Sequence, residues 1–208
     1  MSTESVARHA RLKATYVAPR MRTGRPSAAW RTVVGCEAHQ ALSADERKRF
    51  ETMSDRRRKS FLAARLACKR LSRILSGHDT QTDPRAITTV CADRPHPCCP
   101  LTDGRSVYAC SVSHDDRFAV AAASTGRVGV DVEKVSERVL KLQSLYMSAP
   151  EQSLARGSRL GGIETAVRIW SIKEAVTKAL DITLADAWLR VQVRSVGSAE
   201  SRFQIDDQ

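Results

Sequence analysis

Aromatic residues are scarce in this chain, at 5% of its 208 residues. Proteins that bind single-stranded nucleic acids use aromatic side chains on which the bases stack, so this scarcity argues against that class of partner. No apolar run approaches the roughly 18 residues that a transmembrane helix needs, and residues 1–20 lack the apolar block of a signal peptide. We therefore expect a cytoplasmic protein that binds neither nucleic acid nor membrane.

Acidic residues are few relative to basic ones, 23 against 34, which gives a formal net charge of +11. This excess indicates an anionic partner without naming it. A basic nucleic-acid-binding module stays open as an alternative, although the basic residues are spread along the chain. The hydrophobic content of 42% is enough to form the core of one domain or of two small ones.

Six cysteines are present, and in a cytoplasmic protein we expect them to be reduced thiols. Cys91, His96, Cys98 and Cys99 lie close enough in sequence to raise the question of zinc. The adjacent Cys98 and Cys99 cannot easily fill two tetrahedral positions, and no second cysteine pair follows. We expect a proline-marked loop here and no zinc site.

The first informative segment is Gly-Val-Asp-Val-Glu at residues 129–133. Its strict alternation predicts a strand over 128–133, with Asp131 and Glu133 on the same side. Alternating acidic residues are also common on any half-exposed strand, so the segment alone is weak evidence for a site.

The second segment is Trp-Ser-Ile-Lys-Glu-Ala-Val-Thr-Lys-Ala at residues 170–179. Apolar residues recur at helical spacing and leave Glu174 and Lys178, four residues apart, on the polar face. Such a pair is often only a solvated helix pair. Taken with Asp131 and Glu133, however, three carboxylates and a lysine suit a magnesium ion bound to a polyphosphate.

Together the two segments resemble the paired signature of the 4'-phosphopantetheinyl transferase superfamily. Two upstream stretches are similar to the larger, Sfp-type branch of that family: Ser-Val-Ser-His at 111–114 and Arg-Arg-Arg-Lys-Ser-Phe-Leu-Ala-Ala-Arg at 56–65. The resemblance extends from about residue 43 to residue 192.

The order of predicted elements is typical of an α+β protein. Ser43, with Glu46 three residues later, has the pattern of a capping box and predicts a helix start. Helices are also predicted over 55–75, 139–146, 150–156 and 164–180, and strands over 87–91, 108–113, 118–123, 128–133 and 188–196. The resemblance implies two similar halves related by pseudo-twofold symmetry, with coenzyme A between them. Residues 1–125 would form the half with basic phosphate-binding residues, and residues 126–208 the half with magnesium-binding carboxylates.

The resemblance also implies roles for single residues. Asp131, Glu133 and Glu174 would be the magnesium ligands, and Lys178 would contact the pyrophosphate of coenzyme A. Glu174 would also take the proton of the attacking hydroxyl, which makes Glu174 and Lys178 the expected catalytic residues.

The 3'-phosphate side of coenzyme A would be bound by His114 with Ser113 and by an arginine of the run that includes Arg56 and Arg58. Arg94 stands where many family members have the lysine of a Gly-Lys-Pro motif. Arginine keeps the charge, but the missing glycine affects close backbone approach to the adenine. Residues 179–183 also lack the glycines that often follow the lysine of the second segment.

The implied reaction transfers the 4'-phosphopantetheine arm of coenzyme A to a serine of an acyl or peptidyl carrier protein and releases 3',5'-ADP. Such carriers, which serve fatty-acid, polyketide and nonribosomal peptide biosynthesis, are typically acidic, which agrees with the net charge. We expect a monomer. A family member that binds coenzyme A without transferring its arm is the other alternative.

Overall fold

The computed structural model describes residues 15–17, 36–77, 82–90, 97–100, 107–115 and 117–206, and it has an α+β fold. The helices are α1 (36–41), α2 (Ala44–Glu51), α3 (Asp55–Leu75), α4 (Gln143–Tyr146), α5 (Ala149–Arg156), α6 (Gly162–Leu180) and α7 (Leu184–Arg190). The strands are β1 (Thr15–Val17), β2 (Cys98–Pro100), β3 (Val107–His114), β4 (Ala119–Ser124), β5 (Val191–Val196) and β6 (Ser201–Ile205). Among the described residues, no helix is both long and apolar enough to cross a membrane.

The first half of the chain forms an antiparallel sheet in the order β1-β4-β3-β2, with α3 packed against it. Strand β4 is buried along its whole length and reads Ala-Val-Ala-Ala-Ala-Ser. Its small side chains allow α3 to approach closely through Ala63 and Ala67. The core of this half therefore lies between one long helix and the centre of the sheet.

The second half is built around α6, which packs against α5, α7 and β5, while β5 and β6 form a two-stranded sheet. Trp170 of α6 lies edge-on to Tyr146, with ring centroids 5.1 Å apart. The rings of Trp170 and Trp188 also pack together, with centroids 5.9 Å apart. These rings, with Ile169 and Val193, form the core that fixes the orientation of α6.

A buried ion pair joins α2 to α3. Ser43 caps α2, and the carboxylate of Glu46 accepts a hydrogen bond from the Ser43 backbone N–H, which is a capping box. The same carboxylate pairs with Lys69 of α3 at 2.6 Å and accepts the backbone N–H of Thr89 at 2.8 Å. One glutamate thus ties together a helix start, a long helix and an extended segment.

The second half repeats this arrangement. Ser148 caps α5, and the Glu151 carboxylate accepts the Ser148 N–H, pairs with Lys173 of α6 at 2.9 Å and accepts the backbone N–H of Val193 at 2.8 Å. Lys173 also donates to the carbonyl oxygen of Tyr146. The same set of contacts therefore occurs once in each half.

The capping box of Ser43 and Glu46 correctly predicted the start of α2, and hydrophobic periodicity correctly predicted the long helices α3 and α6. The strands predicted over 108–113 and 118–123 are confirmed as β3 and β4. The strand predicted over 188–196 is confirmed as β5 but begins only at Val191, because α7 occupies Leu184–Arg190. Thr183 caps α7 by accepting the N–H of Asp186, whose carboxylate accepts the Thr183 N–H in return. Within the predicted strand over 87–91, the described residues form one isolated β-bridge, between Val90 and Pro97. Residue 91 lies outside the described part of the chain.

Two smaller expectations also differ from the structure. Residues Glu137–Leu142 form a 3₁₀ helix that leads into α4, so the predicted helix over 139–146 is α-helical only at its end. Cys98 is disulfide-bonded, which departs from the expectation of six reduced cysteines. Among the described cysteines, Cys36, Cys68, Cys99 and Cys110 carry free thiols.

Candidate active site

The segment over 128–133 lies against α6 and is not a strand, so that prediction was wrong. Its backbone is satisfied by side chains: the N–H of Val130 donates to Ser111 Oγ at 3.0 Å, and Lys178 Nζ donates to the carbonyl oxygen of Val130 at 3.0 Å. Gly129 allows this approach, because a Cβ there would lie 1.7 Å from the carbonyl oxygen of Ala175. Close packing against a helix replaces pairing with another strand.

Asp131 lies between β3 and α6. Its Oδ1 accepts hydrogen bonds from Ser113 Oγ of β3 at 2.8 Å and from Lys178 Nζ of α6 at 2.9 Å. Its side chain is only 6% exposed, and its Oδ2 is buried without a hydrogen-bond partner among the described residues. A buried carboxylate oxygen without a partner is costly, so this atom is a candidate ligand for a cation.

Glu133 and Glu174 surround Asp131 with further negative charge. The pKa of each glutamate is raised above its ordinary value. Desolvation is the larger cause, and the negative charge of Asp131 is the second. Lys178 lowers the pKa of Glu174 in part. Arg138 lowers the pKa of Glu133 in part. The mutual repulsion of the three carboxylates would be relieved by a bound cation.

The donor set fits magnesium in its chemistry. Magnesium prefers carboxylate oxygens and keeps several waters, so it does not need an all-protein cage. The carboxylates are not gathered into one tight cluster: among the described residues, the group of three potential ligands within 4.8 Å of one another is Cys68, Cys99 and Cys110. The partnerless Oδ2 of Asp131 and the raised pKa values of Glu133 and Glu174 support the fit.

His114 ends β3 next to Ser113 and is exposed. Partial desolvation, and next the positive charge of Lys178, hold the pKa of His114 below its ordinary value. Its imidazole therefore lies within electrostatic reach of the lysine that binds Asp131. Ser113, by contrast, is already engaged with Asp131, so it connects β3 to the carboxylates.

Comparison with known proteins agrees with this arrangement. Residues 127–207 match the family description "4'-phosphopantetheinyl transferase superfamily". This part of the chain is similar to that superfamily. It contains all three carboxylates and Lys178.

A curated relative leads to the same family. The "4'-phosphopantetheinyl transferase gsp" of Aneurinibacillus migulanus is 32% identical over 74 residues. The aligned part covers 34% of this chain and 30% of that relative's length.

Three arginines, Arg56, Arg58 and Arg94, were expected to bind a phosphate of coenzyme A. They differ in their contacts. Arg58 caps the C-terminal end of α2 by donating to the carbonyl oxygens of Phe50 at 3.1 Å and Glu51 at 2.8 Å. Arg56 is exposed on the first turn of α3. Among the described residues, neither arginine bonds to Ser113 or His114, and Arg94 lies outside that part of the chain.

The loop after α6 lacks the glycines of many 4'-phosphopantetheinyl transferases, and Asp181 takes the conformation that glycine usually provides. It ends α6 in the left-handed region, with φ of 56°. Aspartate tolerates this region better than most residues do. The left-handed conformation of Asp181 was not predicted from the sequence. The hydrogen bond from Val130 to Ser111 was not predicted either, although Ser111 lies in the Ser-Val-Ser-His stretch.

Proposed function

We propose that this chain transfers the 4'-phosphopantetheine arm of coenzyme A to a carrier-protein serine and releases 3',5'-ADP. The observation that supports this most directly is the meeting of Asp131 and Lys178 beside Ser113 and His114. It brings an acidic cluster, an ammonium and an imidazole to one place, which is what a metal-bound pyrophosphate with a further phosphate requires.

Magnesium would be held by Asp131, Glu133 and Glu174. When bound, the ion would offset charge on the pyrophosphate and polarise its oxygens. The buried Oδ2 of Asp131 supports a direct role for that residue. Glu133 and Glu174 supply the additional negative charge that makes a divalent cation favourable.

Lys178 would bind non-bridging pyrophosphate oxygens. Its ammonium already lies 2.9 Å from Asp131 Oδ1 and is 26% exposed, so it can contact a ligand without leaving the site. A lysine near a metal-bound phosphate stabilises negative charge that the metal does not reach.

In the proposed reaction, the serine oxygen attacks the β-phosphorus and forms a new P–O bond. The bond from that phosphorus to the bridging oxygen breaks, and 3',5'-ADP leaves with the electron pair. Glu174 takes the serine proton directly or through a water.

His114 and Ser113 would lie on the 3'-phosphate side of coenzyme A. Protonated His114 would pair with the phosphate, and Ser113 would hold the neighbouring carboxylate in place. Among Arg56, Arg58 and Arg94, we favour Arg56 as the additional phosphate ligand over Arg58, because Arg58 is already used to cap α2.

The two-half organisation, with a boundary between residues 125 and 126, is part of the proposal. The repeated Ser-Glu-Lys arrangement at Glu46 and Glu151 supports halves related by pseudo-twofold symmetry. An acidic carrier protein is the expected partner of a chain with net charge +11. We further propose a cytoplasmic monomer.

The test is intact mass spectrometry of an acyl or peptidyl carrier protein incubated with this chain, coenzyme A and magnesium. We expect the carrier to gain the mass of one phosphopantetheine. A carrier whose acceptor serine is replaced by alanine is the control and should stay unmodified.

Two other outcomes would each select an alternative. If coenzyme A binds but no carrier is modified, the chain is a binding protein of the same family. If duplex DNA binds tightly with a steep salt dependence and no carrier is modified, the basic nucleic-acid-binding module is correct.

A further inference from the structure

Three cysteines from three different elements meet in the core of the first half. Cys68 lies on α3, Cys99 on β2 and Cys110 on β3, and their Sγ atoms all lie within 4.8 Å of one another. The Sγ atoms of Cys68 and Cys110 are 3.8 Å apart. All three side chains are buried, and all three are free thiols.

These distances are close to those of a three-coordinate metal–sulfur site. With metal–sulfur bonds of about 2.3 Å, as for zinc, three sulfurs placed trigonally around an ion would lie about 4.0 Å apart. The separation of Cys68 and Cys110 differs from that value by a few tenths of an ångström. Only small side-chain movements would be needed to complete the site.

The surroundings favour a soft ion over a hard one. Alanines of α3 and β4 enclose the cluster, and among the described residues no carboxylate or imidazole completes a set with these thiols. Sulfur ligands without oxygen or nitrogen select soft cations such as Cu(I). Zinc, which prefers four tetrahedral ligands, is less well matched to three buried sulfurs.

A thiolate is the form of cysteine that binds metals. Arg65 lies one turn before Cys68 on α3, so its positive charge would offset part of the negative charge of bound thiolates.

Ser72 adds a polar group at the edge of the cluster. It lies one turn after Cys68 on α3, is fully buried, and its hydroxyl interacts with the thiol of Cys99.

We propose that Cys68, Cys99 and Cys110 form a buried binding site for a soft, thiophilic metal ion, represented by Cu(I). Each thiol that binds loses its proton to solvent, and the ion keeps its oxidation state. Arg65 offsets part of the resulting negative charge. The site is separate from the carboxylates around Asp131, so it does not depend on the proposed transferase activity.

The test is anaerobic titration of the full chain with Cu(I) against a competing chelator, read by native mass spectrometry. Copper is supplied both to the folded protein and during refolding, because the site is buried. We expect one ion per chain and, in X-ray absorption spectra, three sulfur neighbours at about 2.3 Å. Cys110→Ala should weaken binding at least a hundredfold, while Cys36→Ala, which removes an exposed thiol, should not change it.

Three results would overturn the proposal. One is the absence of bound copper in the wild-type chain, and another is binding that Cys110→Ala leaves unchanged. The third is an ion with fewer than three sulfur neighbours, or a preference for Zn(II) over Cu(I) in the same competition. If Cys110→Ala does not fold, the wild-type absorption spectrum and the number of protons released on binding decide the question.

Discussion

The carbonyl oxygen of Ala175 occupies the space that a side chain on Gly129 would need, since a Cβ there would lie 1.7 Å from it. Helix backbone cannot yield locally as the end of a flexible side chain can. The absence of a side chain at Gly129 therefore sets how closely the segment carrying Asp131 approaches the helix that carries Lys178.

We predict that Gly129→Ala will impair both folding stability and the proposed activity. The clash should cost at least about 1–3 kcal/mol of unfolding free energy, as overpacking does, and should move Asp131 away from Lys178. Denaturant unfolding and carrier-protein modification are the measurements. Gly126→Ala is the matched control, because no described residue lies within 4 Å of a Cβ at that position. Equal behaviour of the two variants would contradict the packing argument.

The metal proposal predicts that Asp131→Asn will lower transfer at least about a hundredfold, since a charge positioned at the reacting pyrophosphate is lost. EDTA should abolish transfer by the wild-type chain, and excess magnesium should restore it. Asp45→Asn, at an exposed aspartate of α2, should have no effect. Full activity in EDTA would show that no divalent metal is needed.

The sequence predicted those features that depend on neighbours within a few residues. Ser43 and Glu46 are three positions apart and form the expected capping box, and the periodicity around Glu174 correctly gave α6. The i, i+4 spacing of Glu174 and Lys178 did not predict which carboxylate forms an ion pair with the lysine. Lys178 pairs instead with Asp131, which is 47 residues away.

Features that depend on distant partners could not be predicted in this way. The alternation at 128–133 is that of a strand, but the hydrogen-bond partners of Val130 are the side chains of Ser111 and Lys178. No strand in the described part of the chain pairs with this segment. Likewise, Lys173 stands beside Glu174 in sequence, and nothing local indicates that it is buried. Its burial follows from Glu151.

The raised pKa of Glu174 predicts how stability depends on pH. A carboxyl with a higher pKa in the folded state contributes stability below its unfolded pKa, and this contribution is lost as pH rises through the folded value. Without metal, Glu174→Gln should therefore stabilise the protein at pH 7.5 relative to wild type, with little gain near pH 4. Magnesium should raise the melting temperature of wild type more at pH 7.5 than at pH 5, and less in the variant. A pH-independent effect of the substitution would contradict this assignment.

His114 offers a test of the coenzyme A orientation. Because the proposed contact is to the 3'-phosphate, remote from the reacting phosphorus, His114→Ala should raise KM for coenzyme A about tenfold with a smaller change in kcat. With 3'-dephospho-coenzyme A the same substitution should have little effect. His39→Ala, at an exposed histidine of α1, is the control. An equal loss with both substrates would place His114 elsewhere in the mechanism.

Breaking the buried ion pair of Glu151 and Lys173 should lower the stability of the fold, which is a different effect from a loss of catalytic activity. Their side chains are 0% and 1% exposed, so removing one partner leaves an uncompensated charge, at a cost of about 3–5 kcal/mol. Lys173→Met should therefore destabilise the protein strongly, and adding Glu151→Gln should restore part of the stability.

Lys178→Met gives the contrasting case, because that ammonium is partly exposed and faces the proposed substrate. It should remove transfer activity with a much smaller change in unfolding free energy. Lys48→Met, which breaks an exposed pair with Asp45, should change neither quantity. If the double variant of Glu151 and Lys173 is no more stable than Lys173→Met, the two residues do not act as a pair. Lys173 would then stabilise α6 mainly through the carbonyl oxygen of Tyr146, 2.6 Å from its Nζ.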